Sequence, residues 1–362
     1  MERTHNFSAG PAILPEQALE NGAEALRDYQ NIGMSIVEIS HRSAEFEEVM
    51  NEAEKSVRNL LKVPEDYAVL FLQGGASLQF AMAPYNLLPD GGKAAYLETG
   101  SWAKKAIKEA KFFGDVEIPA SSKDANFNYI PKDYKIPEDA SYLHVTSNNT
   151  IFGTQMHDFP DSKVPVVADM SSDIFSRPLD ISKFGLIYAG AQKNLGPAGV
   201  TLVIVKKSLL GKIDRKIPTM LDYQTHVDKG SLYNTPPVFS IYMSLQTMKW
   251  IEQNGGLEGI QKKNREKAEM LYEEIENNPL FEGTAEKEDR SYMNVTFVMK
   301  EEGLNDQFLE EAKKANISGI KGHRSVGGFR ASIYNAMPKR SVEALISLMK
   351  DFAKKHSKVS QA

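Results

Sequence analysis

The chain contains no cysteine. That removes disulfides, thiolate metal sites and every mechanism built on a sulfur nucleophile. It has no run of about 18 consecutive apolar residues, so no membrane-spanning helix is expected. Basic residues are not in surplus either: 43 Lys and Arg stand against 48 Asp and Glu, a net charge of -5. That balance disfavours a general affinity for nucleic acid or anionic membranes. The opening segment MERTHNFSAGPAILPEQ lacks the basic start and apolar middle of a secretion signal. No Gly-x-Gly-x-x-Gly follows the first strand-like run, which disfavours a dinucleotide-binding dehydrogenase. What remains is an ordinary soluble composition, 41% hydrophobic and 25% charged over 362 residues. It fits a cytoplasmic protein with one large domain and a smaller one.

Strand-like and helix-like segments alternate through roughly the first two thirds of the chain, which predicts an α/β fold with a mostly parallel sheet covered by helices. YAVLFL, KAAYLETG, SYLHVTSN, VPVVADMSS, FGLIYAGAQ and VTLVIVKK read as strands. Several are nearly continuous apolar runs, as in a sheet buried on both faces. GGASLQFAMAPYNLL and SWAKKAIKEAKFFG read as helices between them. From Pro236 the pattern turns helical and stops at Gly255 and Gly256. Further on, SYMNVTFVM, LNDQFLEEAKKAN, GGFRASIYN and KRSVEALISLMKDFAKKH predict a small α+β domain. The expected division is an N-terminal segment at 1–14 packing with the small domain, a large domain at 15–255 and a small domain at 256–362. The tail SKVSQA is expected to fray.

Two charges stand where apolar runs end. Asp169 closes VPVVAD, and Lys193 follows FGLIYAGAQ. Either could be solvated or paired structurally, Asp169 with Arg177 for example. In an open α/β sheet, however, ligands gather at the C-terminal ends of strands. A lysine desolvated there becomes a nucleophile toward an aldehyde. An aspartate there can hold a pyridine nitrogen protonated. Together the two point to pyridoxal phosphate. The turn in FLQGGASLQF, with Ala76 and Ser77 at a helix start, offers backbone N–H groups and a helix dipole to a phosphate. Trp102, one of two tryptophans, offers a flat surface for a cofactor ring. Thr150 and Gln192 could hydrogen-bond the ring oxygen and the phosphate. His323, Arg324 and Arg330 lie in the glycine-rich SGIKGHRSVGGFRAS, and His41 with Arg42 in ISHRS. Converging arginines imply a substrate with more than one anionic group.

The motifs NFSAGPAILP, EISHRS, FLQGGAS, GSWAKKA, VVADMSSDIFSRPLD, YAGAQKNLGPAG, YNTPPVFSIY and GIKGHRSVGGFRASIYNA resemble, in order from about residue 5 to residue 355, the phosphoserine aminotransferase family of class V pyridoxal-phosphate-dependent aminotransferases. That resemblance implies a fold type I transferase working as a homodimer with shared active sites. It implies that Lys193 carries the cofactor covalently and that Asp169 pairs with the pyridine nitrogen. Ala76, Ser77 and Gln192 would bind the cofactor phosphate, Trp102 would stack on the ring, and Thr150 would contact its oxygen. Asn234 and Thr235 would reach the cofactor phosphate of the other subunit. Arg330 would take the substrate α-carboxylate, while His323 and Arg324, with the partner subunit's Arg42, would grip the substrate phosphate. The implied substrates are L-glutamate and 3-phosphohydroxypyruvate.

Rival readings fit less well. A cysteine desulfurase needs the missing thiol. Serine–pyruvate and alanine–glyoxylate aminotransferases have no use for His323 and Arg324. A non-catalytic phosphometabolite binder leaves Lys193 and Asp169 unexplained.

Overall fold

Alternation along the strands builds the large sheet, because successive side chains point to opposite faces. The computed structural model describes residues 3–357. Its largest sheet is formed by Tyr67–Leu72 (β1), Lys93–Glu98 (β2), Asp115–Ser121 (β3), Leu143–Thr146 (β4), Val166–Asp169 (β5), Phe184–Gly190 (β6) and Thr201–Lys206 (β7). The strand order is β1-β7-β6-β5-β4-β2-β3, and only β7 runs against its neighbours. The longer helices of this part are Glu16–Arg27 (α1), Ala44–Leu61 (α2), Gly75–Leu87 (α3), Ser101–Ala110 (α4) and Val238–Gln253 (α5). Val69, Phe71, Ala168 and Ile187 face one core, shared with Val57 of α2 and Leu245 of α5. Leu70, Val167, Leu186 and Tyr188 face a second core, shared with Phe80 of α3 and Ile107 of α4. Covering both faces explains the near-continuous apolar runs.

β3 is absent from the sequence reading. It is an edge strand with exposed Asp115 and Glu117 and a proline at position 119, so it shows neither an apolar run nor clean alternation. Such edges resist pairing with other chains, which is why their signal is weak.

Beyond Gly255 come Gly256–Asn277 (α6), Asn305–Lys314 (α7) and Lys339–Ser357 (α8). With them, Phe281–Gly283 (β8), Asn294–Met299 (β9) and Phe329–Ser332 (β10) form an antiparallel sheet. Phe281, Phe297, Phe308 and Phe329 meet in its core, mostly edge to face. Phe7 and Ile13 join the same core, and His5–Asn6 pairs in parallel with Ile317–Ser318. α6 spans two cores: Leu257 and Ile260 pack with the large sheet, Leu271 and Ile275 with the small one. All of SKVSQA after Ser357 lies outside the described residues.

The register decides where the chemistry can sit. Thr201 of β7 pairs with both Leu72 and Gly190, and Asp169 pairs with Tyr188. The C-terminal ends of β1, β5 and β6 therefore share one edge of the sheet.

Candidate active site

Lys193 follows β6 in a tight turn in which Leu195 and Gly196 N–H both donate to the Ala191 carbonyl (3.2 and 2.8 Å). Its side chain is half-buried and its Nζ makes no hydrogen bond to a described residue. Nζ stands 5.2 Å from the centre of the Trp102 ring. Burial lowers its pKa, Asp169 opposes that shift, and the Arg330 charge reinforces it.

Asp169 is buried at the end of β5. Its Oδ1 accepts from the Ser171 N–H (3.0 Å) and hydroxyl (2.7 Å), while Oδ2 accepts no hydrogen bond from a described residue. Burial raises its pKa, and Lys193 and Ser171 only partly offset this. Arg177 is not its partner, contrary to the structural alternative weighed from sequence. That guanidinium reaches Asp173 at 3.6 Å and donates to the Met156 and His157 carbonyls. Asp173 is also held by the Ser147 hydroxyl, which donates as well to the Asp169 carbonyl (3.0 Å).

The glycine turn after β1 opens α3. Gly74 takes φ +86°, and a Cβ there would lie 2.5 Å from Leu78 Cδ2, so glycine is required. Gly74 offers no side-chain cap and the first turn holds no acidic residue. The early N–H groups of α3 are thus left for an anion. Gln192 and Ala76 meet around Gly190: a Cβ there would lie 2.8 Å from Gln192 Oε1 and 3.5 Å from the Ala76 nitrogen. Ser77 is exposed beside them.

Trp102 stands in the first turn of α4, and its Nε1 donates to the buried Thr150 hydroxyl (3.2 Å). Arg330, on β10, donates from Nη1 to the Thr150 carbonyl (3.0 Å), while its Nε is buried without a partner. His323 lies close enough to Arg330 and Arg324 for their charges, after desolvation, to lower its pKa. Its Nδ1 lies 2.7 Å from the Ser325 hydroxyl and accepts from the Ser325 N–H at 3.2 Å. The N-terminal segment closes over the lysine. Ala12 N–H donates to the Gln192 carbonyl (2.9 Å), and a Cβ on Gly10 would lie 3.2 Å from Lys193 Cγ.

Three residues named from sequence stay outside this cluster. Arg42 is exposed, with only its backbone N–H bonded, to the Ser40 hydroxyl (3.2 Å). The Thr235 carbonyl accepts from Gln73 (2.9 Å), just before the glycine turn, and from Asn234 (3.4 Å); neither residue has a hydrogen bond to Ala76 or Ser77. Sequence reasoning missed Ser171, Ser147 and Asp173, although the hydroxyl two positions after Asp169 in ADMSSD is the pattern of a local side-chain turn.

A lysine kept short of solvent and a carboxylate kept short of positive charge, on neighbouring strand ends, leave room for a body that takes an amine and offers a cation. Pyridoxal phosphate fits both, and the uncapped start of α3 fits its phosphate. The frame is that of a fold type I transferase. Comparison with known proteins gives the same class: the model of the class V aminotransferases matches residues 4–345, and the chain belongs to that family. Among the relatives it matches almost end to end at more than half identity are phosphoserine aminotransferases. That of Phocaeicola vulgatus is 59% identical over 357 residues, 98% of this chain and 100% of its own. That of Azobacteroides pseudotrichonymphae is 58% identical over 358 residues, 98% of this chain and 99% of its own. Among solved structures, phosphoserine aminotransferase from Bacillus circulans subsp. alkalophilus superposes with a TM-score of 0.96 at 51% identity, covering 98% of this chain and 99% of its own. The PLP-bound enzyme from Trichomonas vaginalis gives 0.92 at 40% identity, covering 96% and 100%.

Proposed function

We propose that the chain transfers an amino group reversibly from L-glutamate to 3-phosphohydroxypyruvate, giving 2-oxoglutarate and O-phospho-L-serine for serine biosynthesis. It works in the cytoplasm as a homodimer, with pyridoxal phosphate held covalently on Lys193. The observation that carries this reading is the meeting of Lys193 and Asp169 with Arg330, His323 and Arg324. Those three lack any carboxylate partner among the described residues. A substrate with a carboxylate and a phosphate supplies two anionic groups for them.

When bound, the cofactor's aldehyde carbon accepts the amino group, and its ring takes up the electrons left as the α-proton departs. The residues of the chain do the rest. The first N–H groups of α3 and the Gln192 amide would hold the phosphate, joined by the partner subunit's Asn234 and the partner subunit's Thr235. Thr150 fixes the plane of the Trp102 indole, which would stack on the ring. Asp169 would keep the ring nitrogen protonated, gaining the positive charge it lacks. Lys193 Nζ, with its lowered pKa, would take the proton from the substrate Cα and return it on the other side of the transfer. The fork of Arg330 would hold the α-carboxylate and satisfy the unpaired Nε. His323, Arg324 and the partner subunit's Arg42 would hold the phosphate away from the reacting carbon, fixing orientation before chemistry.

This assignment weights the two substrates differently, because glutamate offers a carboxylate where O-phosphoserine offers a phosphate. Arg324→Ala is expected to raise KM for O-phosphoserine by about 10- to 100-fold, the worth of a charge-assisted hydrogen bond. KM for glutamate should rise less, since its second anionic group is a singly charged carboxylate in place of the phosphate dianion. Steady-state kinetics in both directions measure this. Equal losses for the two substrates would place the phosphate elsewhere.

A further inference from the structure

A pocket partly open to solvent lies where the N-terminal segment meets α5, α6 and the start of α8. The cavity measures about 450 Å³, within the range of small-molecule sites. Ile13, Pro15, Trp250, Met337 and Pro338 give it apolar walls. Its charged lining is Arg3, Lys263, Lys267, Lys339 and Arg340 against Glu16 and Glu266. Glu266 is already paired with Lys339. Four cations then face one remaining carboxylate, in a chain whose net charge is -5.

The most telling of these is Lys267, which is 3% exposed. Its ammonium donates to the Ile333, Tyr334 and Met337 carbonyls (3.1, 2.7 and 3.1 Å), and no carboxylate meets it. Burial, then the neighbouring charge of Lys263, lowers its pKa to about 7. Its three N–H donors are all used by those carbonyls, so an anion in the adjoining cavity would act on its uncompensated charge at a distance and offset part of the cost of burying it. The surroundings add to the positive field. α8 opens with Lys339 and Arg340 and has no acidic residue in its first turn, the reverse of what a helix dipole favours. Arg340 is exposed and has no partner among the described residues.

We propose that this cavity binds a small organic anion with a flat apolar body, its acid group held by Lys263 and Arg340 within the field of Lys267 and its body against Trp250. The wall that Lys267 braces runs on to the catalytic edge. The Tyr334 hydroxyl donates to the Ala9 carbonyl (2.7 Å), and the Asn335 N–H donates to Asn194 Oδ1 (3.0 Å), beside Lys193. The pocket lining is therefore joined by hydrogen bonds to segments that border Lys193, while the pocket itself lies apart from the substrate site.

Phenyl phosphate, which carries both features, is a suitable probe, read by tryptophan fluorescence of the holoenzyme. The wild type should give a saturable change that Trp250→Phe removes. The double variant Lys263→Gln with Arg340→Gln should weaken binding at least about tenfold, the worth of one charge-assisted bond. Its cofactor absorbance and turnover should stay those of the wild type, because none of these residues touches the catalytic site. Binding at the catalytic phosphate site alone would give the same titration in the wild type and the double variant. That result overturns the proposal, as does a signal that survives Trp250→Phe or no saturable change at all.

Discussion

Replacing Lys193 with alanine is expected to slow the half-reaction with glutamate by roughly 10⁴-fold, the upper range for removing a general acid–base group. The size follows from what else is available. Nζ of Lys193 is an amine facing Trp102, with its pKa lowered by burial. The nearby carboxylates have other roles: Asp169 is bonded through Oδ1 to Ser171 and through Oδ2 is assigned to the ring nitrogen, and Asp173 is held by Ser147, Gln155 and Arg177. No second amine among the described residues stands beside Lys193 to take over proton transfer. Borohydride, which should fix the cofactor to the wild-type chain, should fix none to this variant. Stopped-flow absorbance measures the rate, and retention of a tenth or more of wild-type activity would remove Lys193 from the role given to it.

Asp169→Asn should lower kcat by roughly 10³-fold, the scale of removing a preorganised electrostatic partner. The amide keeps an oxygen for the two Ser171 bonds, so local geometry is preserved. The variant should not destabilise the cofactor-free protein. Burial raises the Asp169 pKa above its unfolded value, so the ionised carboxylate works against the fold, a cost that grows as pH rises from the unfolded pKa through the folded one and is then constant. The neutral amide relieves that cost. The expected pair of results is a large loss of rate with a thermal midpoint equal to or above that of the wild type at neutral pH. A drop in midpoint with activity retained would make Asp169 structural.

Charged residues at the ends of apolar strands are legible in a sequence because burial makes them expensive, and Asp169 and Lys193 stood out for that reason. The sheet was legible on the same grounds, except at β3, whose exposed edge follows no apolar pattern. The partner of Arg177 was not legible. Two aspartates lie within reach along VVADMSSD, and only the turn after β5 decides that Asp173 receives the guanidinium. Ser147 and Ser171 read as ordinary loop hydroxyls until the fold brings them to the carboxylates. Arg42, Asn234 and Thr235 stay apart from the cluster for another reason. The roles proposed for them belong to a second subunit, which one chain's geometry does not supply. Lys267 was hidden inside a helix dense with charge, where nothing in the pattern marks the one lysine that turns inward.

The most direct measurement is the half-reaction of the pyridoxal form of the wild type with O-phospho-L-serine, L-serine and L-alanine side by side, followed by the cofactor's absorbance. If His323 and Arg324 select the phosphate, O-phospho-L-serine should react with a kcat/KM at least about 10²-fold above the other two, since two charge-assisted bonds are at stake. Similar values for all three would leave an aminotransferase of another specificity, and no reaction with any of them would contradict the assignment of the site itself.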